Sequence, residues 1–172
     1  MKRSLATLSV AALLLAGCAT GSPSTAAVVN GTPVAESQVS RWAEGCAPAF
    51  QVSASAARAS MVNASVQGAL ADSIAAEQGI AMTEADRVKG ISSMSDVDAL
   101  IADPDCAEAV KAVSSLLFVA DKLGTEGFTA AVRAADVRVN PRYGTWDPSA
   151  VGLSGKSGSL SATDTDFQVV GG

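Results

Sequence analysis

Histidine is absent from all 172 residues. That excludes a Ser-His-Asp triad, a Cys-His dyad and every His-ligated metal site. Basic residues are scarce as well: 12 Lys and Arg stand against 17 Asp and Glu, a net charge of −5. With an isoelectric point near 4.6, the chain has no basic stripe for phosphates, so nucleic acid is not an expected partner. No apolar run reaches the roughly 20 residues that a membrane-spanning helix needs. No Cys-x-x-Cys pair offers a dithiol redox motif, and no internal repeat is visible. Aromatic residues make up 4% of the chain, which leaves few large side chains for a core.

Alanine is abundant instead, at 34 residues. An apolar content of 48% therefore overstates the core, because each alanine buries little area. The length suits one domain.

The first residues read as an export signal. Lys2 and Arg3 precede the apolar stretch 5–15, too short to span a bilayer and suited to a signal-peptide core. The stretch ends in Leu15-Ala16-Gly17-Cys18, which resembles the lipobox of bacterial lipoproteins. Residues 1–17 are then a removed leader, and Cys18 carries the lipid. The alternative is ordinary secretion with an incidental cysteine. Cleavage before Cys18 leaves 10 Lys and Arg against 17 Asp and Glu, so an acidic body is repelled by anionic headgroups and the acyl chains must do the holding. The expected location is extracytoplasmic, anchored to the cell membrane. In oxidising surroundings Cys46 and Cys106 form a lone even pair. A disulfide between them is the expectation, with two separate buried thiols as the alternative.

Residues 18–27 are small and polar, a flexible tether. A short strand and an Asn30-Gly31 turn come next, followed by a helix from Glu36 to about Glu44 that stops at Gly45. Met61, Val62, Val66, Leu70 and Ile74 predict a long helix over 53–78. Thr83-Glu84-Ala85-Asp86 reads as a capping box for a helix through Ile91. Ser95 is expected to cap a turn or two through Ile101. Asp103-Pro104-Asp105 starts a helix that stops at Gly124, and Thr125 begins a last one through about Ala134. Val137-Arg138-Val139 alternates like a strand. The Gly- and Ser-rich stretch 148–172 is expected to be disordered. The fold class is thus mainly α, with two short strands near the ends pairing with one another.

Three stretches carry a family resemblance. Val28-Val29-Asn30-Gly31-Thr32-Pro33-Val34 followed by a helix resembles the opening of the N-terminal domain of SurA-type chaperones and foldases. The segment 70–86, a helix ending in Ala76-Glu77-Gln78-Gly79-Ile80 with Thr83 and Asp86 after it, resembles that family's next landmark. Residues 137–147 look like the return strand of exported actinobacterial relatives. The resemblance covers most of 26–147 and implies a helical domain over 28–147 that shields extended apolar segments of exported polypeptides. It does not extend to prolyl isomerase activity. Only residues 124–136 separate the last long helix from the return strand, which is too few for a parvulin domain, and the histidines that parvulin sites use are missing.

Other candidates read more simply. Asp96, Asp98, Asp103 and Asp105 lack the EF-hand spacing and fit helix starts. Ser154-Gly155-Lys156-Ser157 lacks the glycine spacing of a phosphate loop. Met61, Met82 and Met94 fit core filling better than a client groove. Trp42, Tyr143 and Trp146 are expected to brace the first helix against the return strand, peptide anchoring being the alternative. No activated nucleophile or tuned acid-base pair emerges, and no catalytic residue, cofactor or metal is expected. Two functions are compatible with this reading: a lipid-anchored chaperone-like protein, or a non-catalytic envelope scaffold with one specific partner.

Overall fold

A computed structural model describes residues 22–91 and 97–154. Cys18, Met94, Ser95 and Asp96 lie outside these residues, as do Lys156 and Ser157.

The chain is mainly helical, with a few short antiparallel strands. β1 (Thr25–Val29) turns through Asn30 and Gly31 into β2 (Thr32–Ala35). Both turn residues have positive φ, 45° and 82°, the conformation that a two-residue hairpin matched to strand twist demands. β1 is central in a sheet ordered β2-β1-β3, where β3 is Val137–Val139. Ala27 lies opposite Val139 and Val29 opposite Val137, so the two ends of the domain pair as expected.

Asn30 fastens this closure. Its backbone N–H donates to the Asp136 carbonyl at 2.8 Å, and its Oδ1 accepts from the Asp136 N–H at 2.7 Å. Its Nδ2 reaches Ser73 Oγ at 2.7 Å and Glu77 Oε1 at 3.0 Å. One turn residue thus joins both outer ends of the sheet to a helix.

Three helices form the body. α1 (Glu36–Phe50), α2 (Ala54–Glu77) and α5 (Pro104–Ala134) pack pairwise against one another. Between them lie two short helices, α3 (Glu84–Lys89) and α4 (Val97–Ile101). Val39, Val62, Val66, Leu70, Ile74 and Val119 are essentially inaccessible to solvent and form the centre of the core. The start signals act as written: Ser53 Oγ accepts from the Ala56 N–H, Thr83 and Asp86 cap each other, and Asp103 accepts from the N–H groups of Asp105 and Cys106. Gly124, at φ 65° and ψ 173°, breaks α5 where a stop was expected. α3 ends at Lys89, slightly short of the expected Ile91.

α1 does not stop at Gly45. It continues through Pro48 and ends where Gln51 turns left-handed and donates back to Ala47 and Pro48. The glycine serves packing rather than termination, since a Cβ there would stand 2.3 Å from Asp103 Oδ1. It lets the start of α5 approach α1 closely, and at the next residue Cys46 meets Cys106 with sulfurs 2.04 Å apart. Both cysteines are fully buried.

The domain is longer at both ends than 28–147. β1 starts at Thr25, inside the expected tether. Past Asp147 the chain turns back, and β5 (Gly152–Ser154) pairs with β4 (Thr145–Asp147). Two side chains of α2 hold this hairpin: Asn63 Oδ1 accepts from the Leu153 N–H at 3.1 Å, and Gln67 Nε2 donates to the Val151 carbonyl at 2.9 Å. The first residues of the stretch expected to be disordered are therefore ordered by partners some 85 to 90 positions earlier, which local composition does not reveal.

Candidate functional site

A cavity of about 700 Å³ opens between the hairpin and the helices. β2 supplies Thr32, Pro33 and Val34 as one wall, and α1 adds Gln38 and Trp42, one turn apart. Ser65, Gly68, Ala69, Asp72, Ser73, Ala76 and Glu77 recur at three- and four-residue spacing along one face of α2. α5 faces them with Glu108, Lys111, Ala112 and Ser115, while α3 contributes Glu84 and Arg87.

Small side chains create the space. Where Gly68 of α2 meets α5, an added Cβ would lie 2.7 Å from the Ala112 Cβ, so the two helices meet there with almost nothing between them. Alanines at 69 and 76 keep the same face shallow. Trp42, only 7% exposed, is the one aromatic residue lining the space among the described residues.

Around this floor runs a ring of paired charges. Arg87 Nη2 lies 2.8 Å from Asp72 Oδ1, and Arg87 Nη1 donates to Ser115 Oγ at 3.2 Å. Lys111 Nζ reaches Glu84 Oε1 at 2.8 Å and Glu108 Oε1 at 2.5 Å. α3, which has no buried residue of its own, is thus held over the helix pair by one side-chain bond to α2 and two to α5. Gly90 N–H adds a bond to Ser114 Oγ at 3.0 Å.

These pairings fix protonation states. Hydrogen bonds to Glu108 and then Glu84 raise the pKa of Lys111, keeping it cationic. The hydrogen bond from Lys111 lowers the pKa of Glu84. A Ser-Lys nucleophile needs a neutral lysine, and Ser115 spends its own proton on the Lys111 carbonyl at 2.8 Å. Ser73 Oγ likewise donates to Glu77 at 3.1 Å. Ser65 differs: it is 2% exposed and its hydroxyl has no hydrogen-bond partner among the described residues.

The other aromatic candidates divide between two roles. Tyr143 braces the return segment as expected: its hydroxyl donates to Glu36 at the start of α1 and accepts from Arg58 Nε at 3.3 Å. Arg58 and Arg142 also pair with Glu36, and Arg58 donates to Ser40 Oγ at 3.0 Å. The Arg142 guanidinium sits 4.9 Å from the Tyr143 ring centre. Trp146 packs against the core from β4 with its indole nitrogen unpartnered among the described residues. Trp42 belongs to the buried core and also lines the cleft. Met61 is buried in the core, Met82 packs against it, and neither lines the cleft. Asp103 is the cap of α5, and Asp105 pairs with Arg41 at 3.5 Å.

The cleft was not legible as a unit, because its lining is drawn from five elements spread over residues 32–115. The one available signal was the repeat of small residues on a single face of α2. Compared with family models, curated proteins and solved structures, the chain matches none.

Proposed function

We propose that this chain is a non-catalytic, extracytoplasmic holding protein, tethered by a lipid on Cys18, that takes extended segments of exported polypeptides into the cleft. The observation that carries the reading is the cleft itself: about 700 Å³, within the range of binding sites, with a shallow floor of alanine and glycine beside Trp42. A floor of small side chains admits a chain of varied sequence, and an aromatic wall offers contact area at low entropic cost. The SurA-type resemblance of 26–147 points the same way. The committed hydroxyls of Ser73 and Ser115 and a protonated Lys111 favour holding over chemistry. The reading of residues 1–18 as an export signal supports a location where unfolded chains emerge.

The envelope-scaffold reading has its own support. The ring of charges on Asp72, Arg87, Glu84, Lys111 and Glu108 is more discriminating than an apolar groove, because a mismatched partner leaves charges desolvated.

Aggregation suppression separates the two. The purified mature chain at near-stoichiometric ratio is expected to reduce light scattering from several reduced, unfolded exported proteins. Suppression of none of them removes the holding reading and leaves the scaffold.

A further inference from the structure

We infer that the cleft selects cationic segments, polypeptide stretches bearing lysine or arginine, over neutral or acidic ones. The inference rests on the polypeptide-holding reading and names its preferred ligand class. Four carboxylates line the cleft against two cations, and both cations are committed. Arg87 is spent on Asp72 and Ser115. Lys111 is shared between Glu84 and Glu108, two negative charges on one positive. Glu77 receives hydrogen bonds only from the neutral donors Asn30 and Ser73 and has no ion-pair partner among the described residues. The lining thus holds negative charge in excess of its own partners.

Two independent features of the same space point to a donor-bearing ligand. Ser65 lines it with a hydroxyl that is buried and unpartnered, a group that an ammonium or guanidinium N–H would satisfy. Trp42 lines the same space, and an indole ring attracts a cation that reaches its face. The floor itself, alanine and glycine with Val34 and Pro33 at the wall, presents no deep apolar pocket for a large hydrophobic anchor. The surplus of 17 acidic over 12 basic residues in the whole chain adds a field that draws cations toward the surface.

The test uses the full chain in nonionic detergent and three ten-residue unstructured peptides of one sequence, differing only in three positions occupied by Lys, Gln or Glu. Binding is read by calorimetry on the unaltered chain and by Trp42 fluorescence in a Trp146→Phe variant. The Lys peptide is expected to bind about tenfold more tightly than the Gln peptide, with that preference shrinking in 0.5 M salt. Glu108→Gln is expected to weaken the Lys peptide about threefold and leave the Gln peptide unchanged. Equal binding of all three peptides, or tighter binding of the Glu peptide, overturns the charge preference while polypeptide holding stands. No binding of any peptide overturns both. Spermidine binding more tightly than the Lys peptide overturns a polypeptide as the source of the cation.

Discussion

Glu36 is a polar side chain on which several ties that hold the domain closed converge. It opens α1, and Arg58 of α2 and Arg142 with Tyr143 of the return segment all converge on its carboxylate. Burial alone would raise its pKa. Hydrogen bonds from Tyr143, Arg58 and Arg142 outweigh that and hold the pKa below the ordinary 4.5. The sign follows from linkage: a carboxylate with a depressed folded pKa contributes stability that is complete above its unfolded value and is lost as pH falls through the folded one. Glu36→Gln leaves both guanidiniums without their counter-charge, and the expected cost is about 1–2 kcal/mol at pH 7. Urea denaturation of both proteins across the acid range checks this. The gap should close as pH drops below 4.5, and a gap independent of pH would contradict the role given to the charge. Nothing near residue 36 in the sequence announces this cluster, since its members lie 22 to 107 positions away.

Among the elements, what the chain declares locally is where helices start. Ser53, Thr83 with Asp86, and Asp103 before Pro104 bond within two or three positions, so their chemistry is complete in a short window. Stops read less well, because glycine has two uses. At Gly124 it takes a backbone shape that side chains avoid, and the helix breaks there. At Gly45 and Gly68 it makes room for a neighbour, and both helices continue. Alanine substitutions separate the two kinds of effect. Propensity favours alanine by about 1 kcal/mol in a helix interior, and Gly127, whose added Cβ would meet only Leu123 at 3.4 Å, should gain roughly that. Gly68→Ala must push Ala112 away, at an overpacking cost of about 1–3 kcal/mol, so it should destabilise on balance. Opposite shifts of the urea midpoint for the two variants are the expected outcome. A gain at both sites would mean that α2 and α5 do not approach as closely as described. The bond between Cys46 and Cys106 belongs to this scale too, joining α1 to α5 across 60 positions. Its reduction should lower stability by about 4 kcal/mol on the loop-entropy account, read as a fall in the denaturation midpoint on adding reductant. An unchanged midpoint would mean that the two thiols are not joined.

At the scale of the whole molecule, a thin core explains why so many long-range polar ties are present. Of the twelve largest fully buried side chains, only Leu70 and Ile74 exceed valine in size, so burial gives a narrow margin. Asn30, Glu36 and Asn63 each carry part of the closure between distant ends of the chain. The class of fold and the pairing of its end strands follow from patterns within the sequence. The hairpin of β4 and β5 and the cleft do not, because both depend on which helix faces meet. The same shortage of large side chains that thins the core also opens the cleft. Capture of polypeptide there is tested most directly by photocrosslinking with a defined client. A photoreactive residue in place of Gln38, on the cleft wall, is compared with one in place of the exposed Asp121 on α5. Each variant is mixed with a reduced, carboxymethylated exported protein that cannot refold. Holding in the cleft predicts strong crosslinking from position 38 and little from 121. Equal yields from the two positions, or none from 38, would contradict it.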